Sequence, residues 1–136
     1  MKSPKQLAAL LLSSTLLISP AIAANSKSSA TPYLELQPAI VVNLHGPGRI
    51  QFMQVEIAAM SRDSKVLAAL EEHMGPMRDA LITLLSAQTS EGMRDQQVRE
   101  QVRLQALENL RSILETHAGF KRESLEALYF TNFVIQ

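Results

Sequence analysis

The residue pattern predicts an α+β fold: a small antiparallel sheet (an N-terminal hairpin plus a C-terminal strand) packed with three helices, in the order β-β-α-α-α-β. Three observations carry this expectation. Apolar residues alternate in two runs between Tyr33 and Met60, and they recur at helical spacing from Val66 to Leu114. The chain then closes on Leu128 to Ile135, a stretch rich in aromatic and β-branched residues.

The first residues differ from the rest. Lys2 and Lys5 form a positive start, Leu7 to Ile18 is an apolar run of about a dozen residues, and Ala21-Ile22-Ala23 is a small-x-small triplet. A membrane-crossing helix needs about 20 apolar residues, and here Ser13, Ser14, Thr15, Ser19 and Pro20 intrude. Residues 1–23 therefore read as a cleaved signal peptide, with an uncleaved N-terminal anchor as the alternative. The periplasm is the expected location, with attachment to the inner membrane under the second reading. Residues 24–32 are poor in apolar periodicity and read as a flexible linker. Residues 33–136 form one α+β domain.

Composition narrows the function. The 136 residues hold 13 Lys and Arg against 13 Asp and Glu, with the bases scattered among the acids. Nucleic-acid binding, which needs a concentrated basic face, is set aside. Hydrophobic residues make up 46% of the chain, enough for a packed core. The chain has no cysteine, so its stability must come from packing and thiol chemistry is excluded.

Tyr33 to Leu44 reads as a strand, and Pro38 makes it either an edge strand or two short pieces. His45-Gly46-Pro47-Gly48 is a turn, and Arg49 to Met60 is the returning strand. Its apolar phase slips between Ile50-Phe52 and Met53-Val55-Ile57. A bulge near Met53 or Gln54, or burial of both faces, would reconcile the two.

Asp63 is placed to cap a first helix whose stripe is Val66, Leu67, Leu70 and Met74. Gly75 suits the residue after that helix, and Pro76 the first residue of the next. Met77, Leu81, Ile82, Leu84 and Leu85 form the buried side of the second helix. Thr89 to Gly92 interrupts the pattern. The third helix runs from about Asp95 to His117 on Val98, Val102, Ala106, Leu107, Leu110, Ile113 and Leu114. Arg111 is spaced to pair with Glu108 and Glu115 on its solvent side. The last strand is apolar on both faces, which predicts a central, doubly covered position.

No catalytic, cofactor-binding or metal-binding residues emerge. His45, His73 and His117 are not spaced as helical zinc ligands. Glu71, Glu72 and Asp79 read as a solvated helix face rather than an acid/base pair. Ser86 and Thr89 lack a base at a nucleophile elbow, and the glycine turn at residues 45–48 lacks a phosphate-binding Lys-Ser/Thr. No small-molecule substrate is expected. If the helices cover one side of the sheet, Phe52, Tyr129 and one side of the C-terminal strand need a partner. The candidate interaction surface comprises Phe52 and Tyr129 together with Arg99 and Arg103 of the long helix.

Three segments, taken in order, resemble one protein family. Glu71 to Thr89 has an acidic helix end, a Pro, an Arg-Asp pair, then Leu-Leu-Ser followed by Thr. The closing Leu128-Tyr-Phe-Thr-Asn-Phe-Val-Ile-Gln136 and the opening hairpin, Tyr33 through Leu44 with Phe52-Met-Gln-Val55 after it, complete the set. The chain resembles the flagellar basal-body-associated FliL family over residues 33–136. That resemblance implies a fold similar to the stomatin/prohibitin type. It also implies ring-like self-association with the stator and basal-body proteins of the flagellar motor, in support of torque, swarming and other flagellum-dependent motility. Family members commonly carry a full membrane-spanning helix and a Lys where Gln88 stands. The alternative reading is a soluble periplasmic adaptor or envelope-maintenance module unrelated to the motor.

Overall fold

The structure, a computed structural model, describes residues 31–136. The expected signal peptide and all but the end of the expected linker lie outside the described residues. The chain runs β1 (Tyr33–Glu35), β2 (Ile40–Leu44), β3 (Gln51–Met60), α1 (Ser64–Glu72), α2 (Met74–Ser86), α3 (Ser90–Arg94) and α4 (Gln96–Ala118). A 3-10 turn at Arg122–Ser124 then leads into β4 (Ala127–Ile135). The α+β class holds, with one strand and one short helix more than the expected order.

Pro38 accounts for the added strand. It has no N–H to give a ladder, so the ladder breaks there and the chain re-enters it at Ile40. Both pieces pair antiparallel with β3 on the same side, β1 opposite Ala58–Met60 and β2 opposite Gln51–Val55. On the other side, β4 pairs antiparallel with β3 from Met53 to Met60.

Strand β3 is therefore the central strand, and the expectation that the C-terminal strand occupies the centre is corrected. Met53, Val55, Ile57, Ala58 and Ala59 of β3 are buried, whereas in β4 only Leu128 is. The apolar groups of β4 divide between two environments. Leu128, Phe130, Phe133 and Ile135 pack on the core, while Tyr129 and Val134 face solvent.

The expected bulge is also displaced. Pairing between β2 and β3 runs unbroken through Met53 and Gln54. The irregularity lies between Glu56 and Ile57, which face Asn132 and Phe130, so that Thr131 of β4 has no opposite residue. The slip in apolar phase has a simpler cause. Ile50 belongs to the hairpin loop, and Phe52 stays on the open side of the sheet at 50% exposure.

The helices begin on polar caps. Asp63 accepts from the Lys65 amide at 2.9 Å, Thr89 from Gly92 at 3.0 Å, and Asp95 from Gln97 at 2.7 Å and Val98 at 3.1 Å. The junction of α1 and α2 is one residue long. His73 ends the first helix and starts the second, so Gly75 and Pro76 fall in the first turn of α2. Pro76 is tolerated there because first-turn amides have no intrahelical acceptor. Helix α3 fills the stretch that reads as an interruption and buries Met93 completely. Gly119 ends α4 at φ 70°, and the amides of Gly119 and Phe120 bond back to Glu115 and Leu114.

The core lies between the helices and one face of the sheet. Ile40, Val42, Leu44, Met53, Val55, Ile57 and Leu128 meet Val66, Leu70, Met77, Leu81, Leu85, Met93, Leu110 and Leu114. The expected stripe of α4 is present, with Val102, Ala106, Leu107, Leu110 and Leu114 buried and Val98 and Ile113 partly so. Ile82 departs from expectation: it is 42% exposed, on the side of α2 away from the core. The result is two layers, helices over one sheet face and nothing among the described residues over the other.

Candidate functional site

The uncovered sheet face is built by strand alternation. With Met53, Val55, Ile57 and Ala59 turned to the helices, Phe52, Gln54, Glu56, Ala58 and Met60 turn away. Cross-strand neighbours follow the register: Phe52 opposite Asn43, Gln54 between Val41 and Val134, Glu56 opposite Asn132, and Ala58 between Glu35 and Tyr129. Among the described residues, eight large hydrophobic side chains are exposed by more than a third. Five of them, Tyr33, Val41, Phe52, Tyr129 and Val134, lie on this face.

They form two apolar ends. At one, Val41, Phe52 and Val134 surround a shallow depression of about 140 Å3 with Gln54 and Gln136. At the other, the Tyr33 and Tyr129 rings lie 6.2 Å apart at a 54° tilt, and the Tyr129 hydroxyl donates to the Met60 sulfur at 3.9 Å. Tyr129 stands opposite Ala58, which is only 5% exposed although it lies on the uncovered side. Between the ends Asn132 Nδ2 donates to Glu56 Oε1 at 3.2 Å, and beside the tyrosine end Gln37 Nε2 donates to Glu35 Oε2 at 3.3 Å.

A second feature lies where α4 runs beside the outer edge of β4. Gln96, Arg99, Glu100, Arg103, Tyr129, Phe130 and Phe133 line an open groove of about 500 Å3. Arg99 and Arg103 are held in place rather than extended into solvent. The Arg99 guanidinium lies 5.4 Å from the centre of the Phe133 ring and donates to the Met93 and Arg94 carbonyls. Arg103 donates to the Leu128 carbonyl at 2.7 Å and is paired with Glu100. That contact holds the Glu100 carboxyl below the ordinary carboxylate value and the Arg103 guanidinium above its own.

The structure thus puts Phe52 and Tyr129 at opposite ends of one face, and Arg99, Arg103 and Tyr129 along one groove at its margin. Val134 belongs to the side of the C-terminal strand expected to seek a partner, whereas Val41 and Tyr33 were missed as companions of Phe52. Their signal lay in parity, since Val41 shares the phase of exposed Asn43 rather than that of buried Val42. Further along α4, Arg111 pairs with Glu108 as expected at 2.7 Å, but not with Glu115. Arg122 takes that position, bridging Glu108 at 2.6 Å and Glu115 at 3.2 Å, and draws the Glu108 carboxyl downward together with Arg111.

Among the described residues no group of three or more His, Asp or Glu side chains could hold a metal ion. No buried side-chain nitrogen or oxygen there lacks a partner. His73 and His117 approach to 5.7 Å between ring centres at the ends of α1 and α4, a pairing that their separation in sequence conceals. No helix among the described residues is long and apolar enough to cross a membrane.

Fold and surface together define a two-layer α+β domain whose distinguishing feature is an open sheet face rather than a cleft. The model of the flagellar basal body-associated protein FliL family matches residues 33–136, and the chain belongs to that family. It is 31% identical over 102 residues to "Flagellar protein FliL" of Aquifex aeolicus (strain VF5). That match covers 75% of this chain and 60% of the relative, so the chain spans less than two thirds of the relative's length.

Proposed function

We propose that this protein is a non-catalytic component of the flagellar basal body that supports the motor's stator from the periplasm and associates with further copies of itself in a ring-like assembly. Membership of the FliL family over residues 33–136 is the observation that carries this reading. The surface is consistent with it. Five large apolar side chains share one uncovered face, the kind of patch that marks a protein contact. Among the polar side chains of that face, Asn132 bonds Glu56 and Gln37 bonds Glu35.

The test is genetic and mechanical. Deleting the gene should reduce swarming and lower the speed of tethered motors under high load, with flagella still assembled. Restoration by the intact gene, but not by one carrying Phe52→Ser and Tyr129→Ser, would tie the effect to the sheet face. Unchanged motility at every load would overturn the proposal.

A further inference from the structure

We infer that the open sheet face is a docking surface for an amphipathic helix of another protein, one with apolar residues at both ends and Lys or Arg between them. The inference deepens the function proposed above, because it names the chemistry of a contact partner. Its test reads contact rather than motility, so the two can fail separately.

Charge decides the partner's character. Two apolar ends, Val41-Phe52-Val134 and Tyr33-Tyr129, flank Glu56 on β3, and Glu35 on β1 stands across Ala58 from Tyr129 at the inner side of the second end. Neither carboxylate has a cation within salt-bridge distance among the described residues, and each accepts only a neutral amide, from Asn132 and Gln37. Glu126, just before β4, by contrast already has Arg62. Covering the face with a neutral or acidic partner would bury two unmatched negative charges, which costs far more than an apolar contact returns. A partner with bases opposite Glu35 and Glu56 removes that penalty and leaves both apolar ends free to pack.

Geometry decides the partner's shape. An extended segment would add to a sheet edge, and each edge is flanked by a helix whose side chains take some of its carbonyls. Along β4, Arg103 of α4 occupies the Leu128 carbonyl and Arg99 lies over the Phe133 ring, while Arg111 takes the carbonyls of Leu125 and Glu126 just before the strand. Along β2, Arg78 of α2 bonds the Pro38 carbonyl at one end, and His45 bridges to Gln88 and Ser90 at the other. What remains is a face, and helices already cover the opposite one. From Phe52 to Ala58 the face extends about 20 Å at strand rise, a span met by roughly four helical turns.

The experiment places the photo-crosslinking residue p-benzoylphenylalanine at Phe52 or Tyr129 in the full-length protein in cells, and identifies the crosslinked peptide by mass spectrometry. Both positions should capture the two ends of one helical segment carrying Lys or Arg at its middle. Joint Glu35→Lys and Glu56→Lys changes should lower the yield about tenfold, while Glu71→Lys on α1 should leave it unchanged. Circular dichroism of each variant separates lost contact from lost fold. Crosslinks confined to a second copy of this chain or to lipid, an acidic or extended captured segment, charge reversal without effect, or no crosslink at all would each overturn the inference.

Discussion

Arg103 crosses from α4 to the outer edge of β4 and donates to the Leu128 carbonyl oxygen at 2.7 Å. One side chain thereby fastens the long helix to the strand that closes the sheet, and Glu100 holds its guanidinium in the required orientation. Arg103→Met should lower the free energy of unfolding by about 1–2 kcal/mol, measured by chemical denaturation. Arg103→Lys should recover less than half of that loss, because an ammonium cannot serve the carboxylate and the carbonyl with one planar fork.

Core and face should respond oppositely to truncation. Leu110 is fully buried, so Leu110→Ala should cost about 2–5 kcal/mol through lost transfer energy and the cavity left behind. Phe52 is half exposed, and Phe52→Ser should change stability by less than about 1 kcal/mol. Parallel thermal melts of the two variants check this, and a large loss with Phe52→Ser would mean the face is covered.

The pH response has a definite sign. The Glu108 carboxyl is held below the ordinary carboxylate value by Arg122 first and Arg111 second, and that of Glu100 by Arg103. A carboxylate with a depressed folded-state pKa contributes stability that is complete above its unfolded pKa and is lost as pH falls through the folded one. Stability should therefore decline below about pH 4.5, and Arg122→Gln should make that decline shallower. Denaturation midpoints measured from about pH 6 to pH 3, with and without the substitution, provide the comparison. Because these groups are exposed, added salt should weaken the effect.

Two glycines should give opposite results with the same replacement. Gly119 sits at φ 70° with open space around its Cα, so Gly119→Ala should cost about 1 kcal/mol from backbone strain alone. Gly75 lies in the first turn of α2 without positive φ, also in open space, and Gly75→Ala should stabilise by about 0.4–1 kcal/mol. Urea unfolding of both variants reads the difference in sign.

These responses also mark what the sequence makes legible. The stripe of α4, the cap at Asp63 and the break at Pro38 were readable because each depends on neighbours within a turn or two. The position of β4 was not. Apolar residues on both faces of a strand look alike whether the second face meets more protein or meets solvent, and only the pairing of β3 on both sides separates the cases. Helix α3 was hidden by its five residues, too few to display a period, although Thr89 is an ordinary cap. Phe52 and Tyr129 were legible as uncovered side chains. The inward commitment of Arg99 and Arg103 was not, because their acceptors are carbonyls on β4 and at the end of α3.

The guarded margins of this sheet bear on how densely such domains can be crowded. A strand with bare amides and carbonyls recruits its like, and neighbours stacked that way grow without limit into fibres. Here guanidinium groups occupy carbonyls beside β4, α2 flanks β2, and β1 is only three residues long. Copies brought close together are thus steered away from open-ended stacking, so crowding by itself need not seed aggregation.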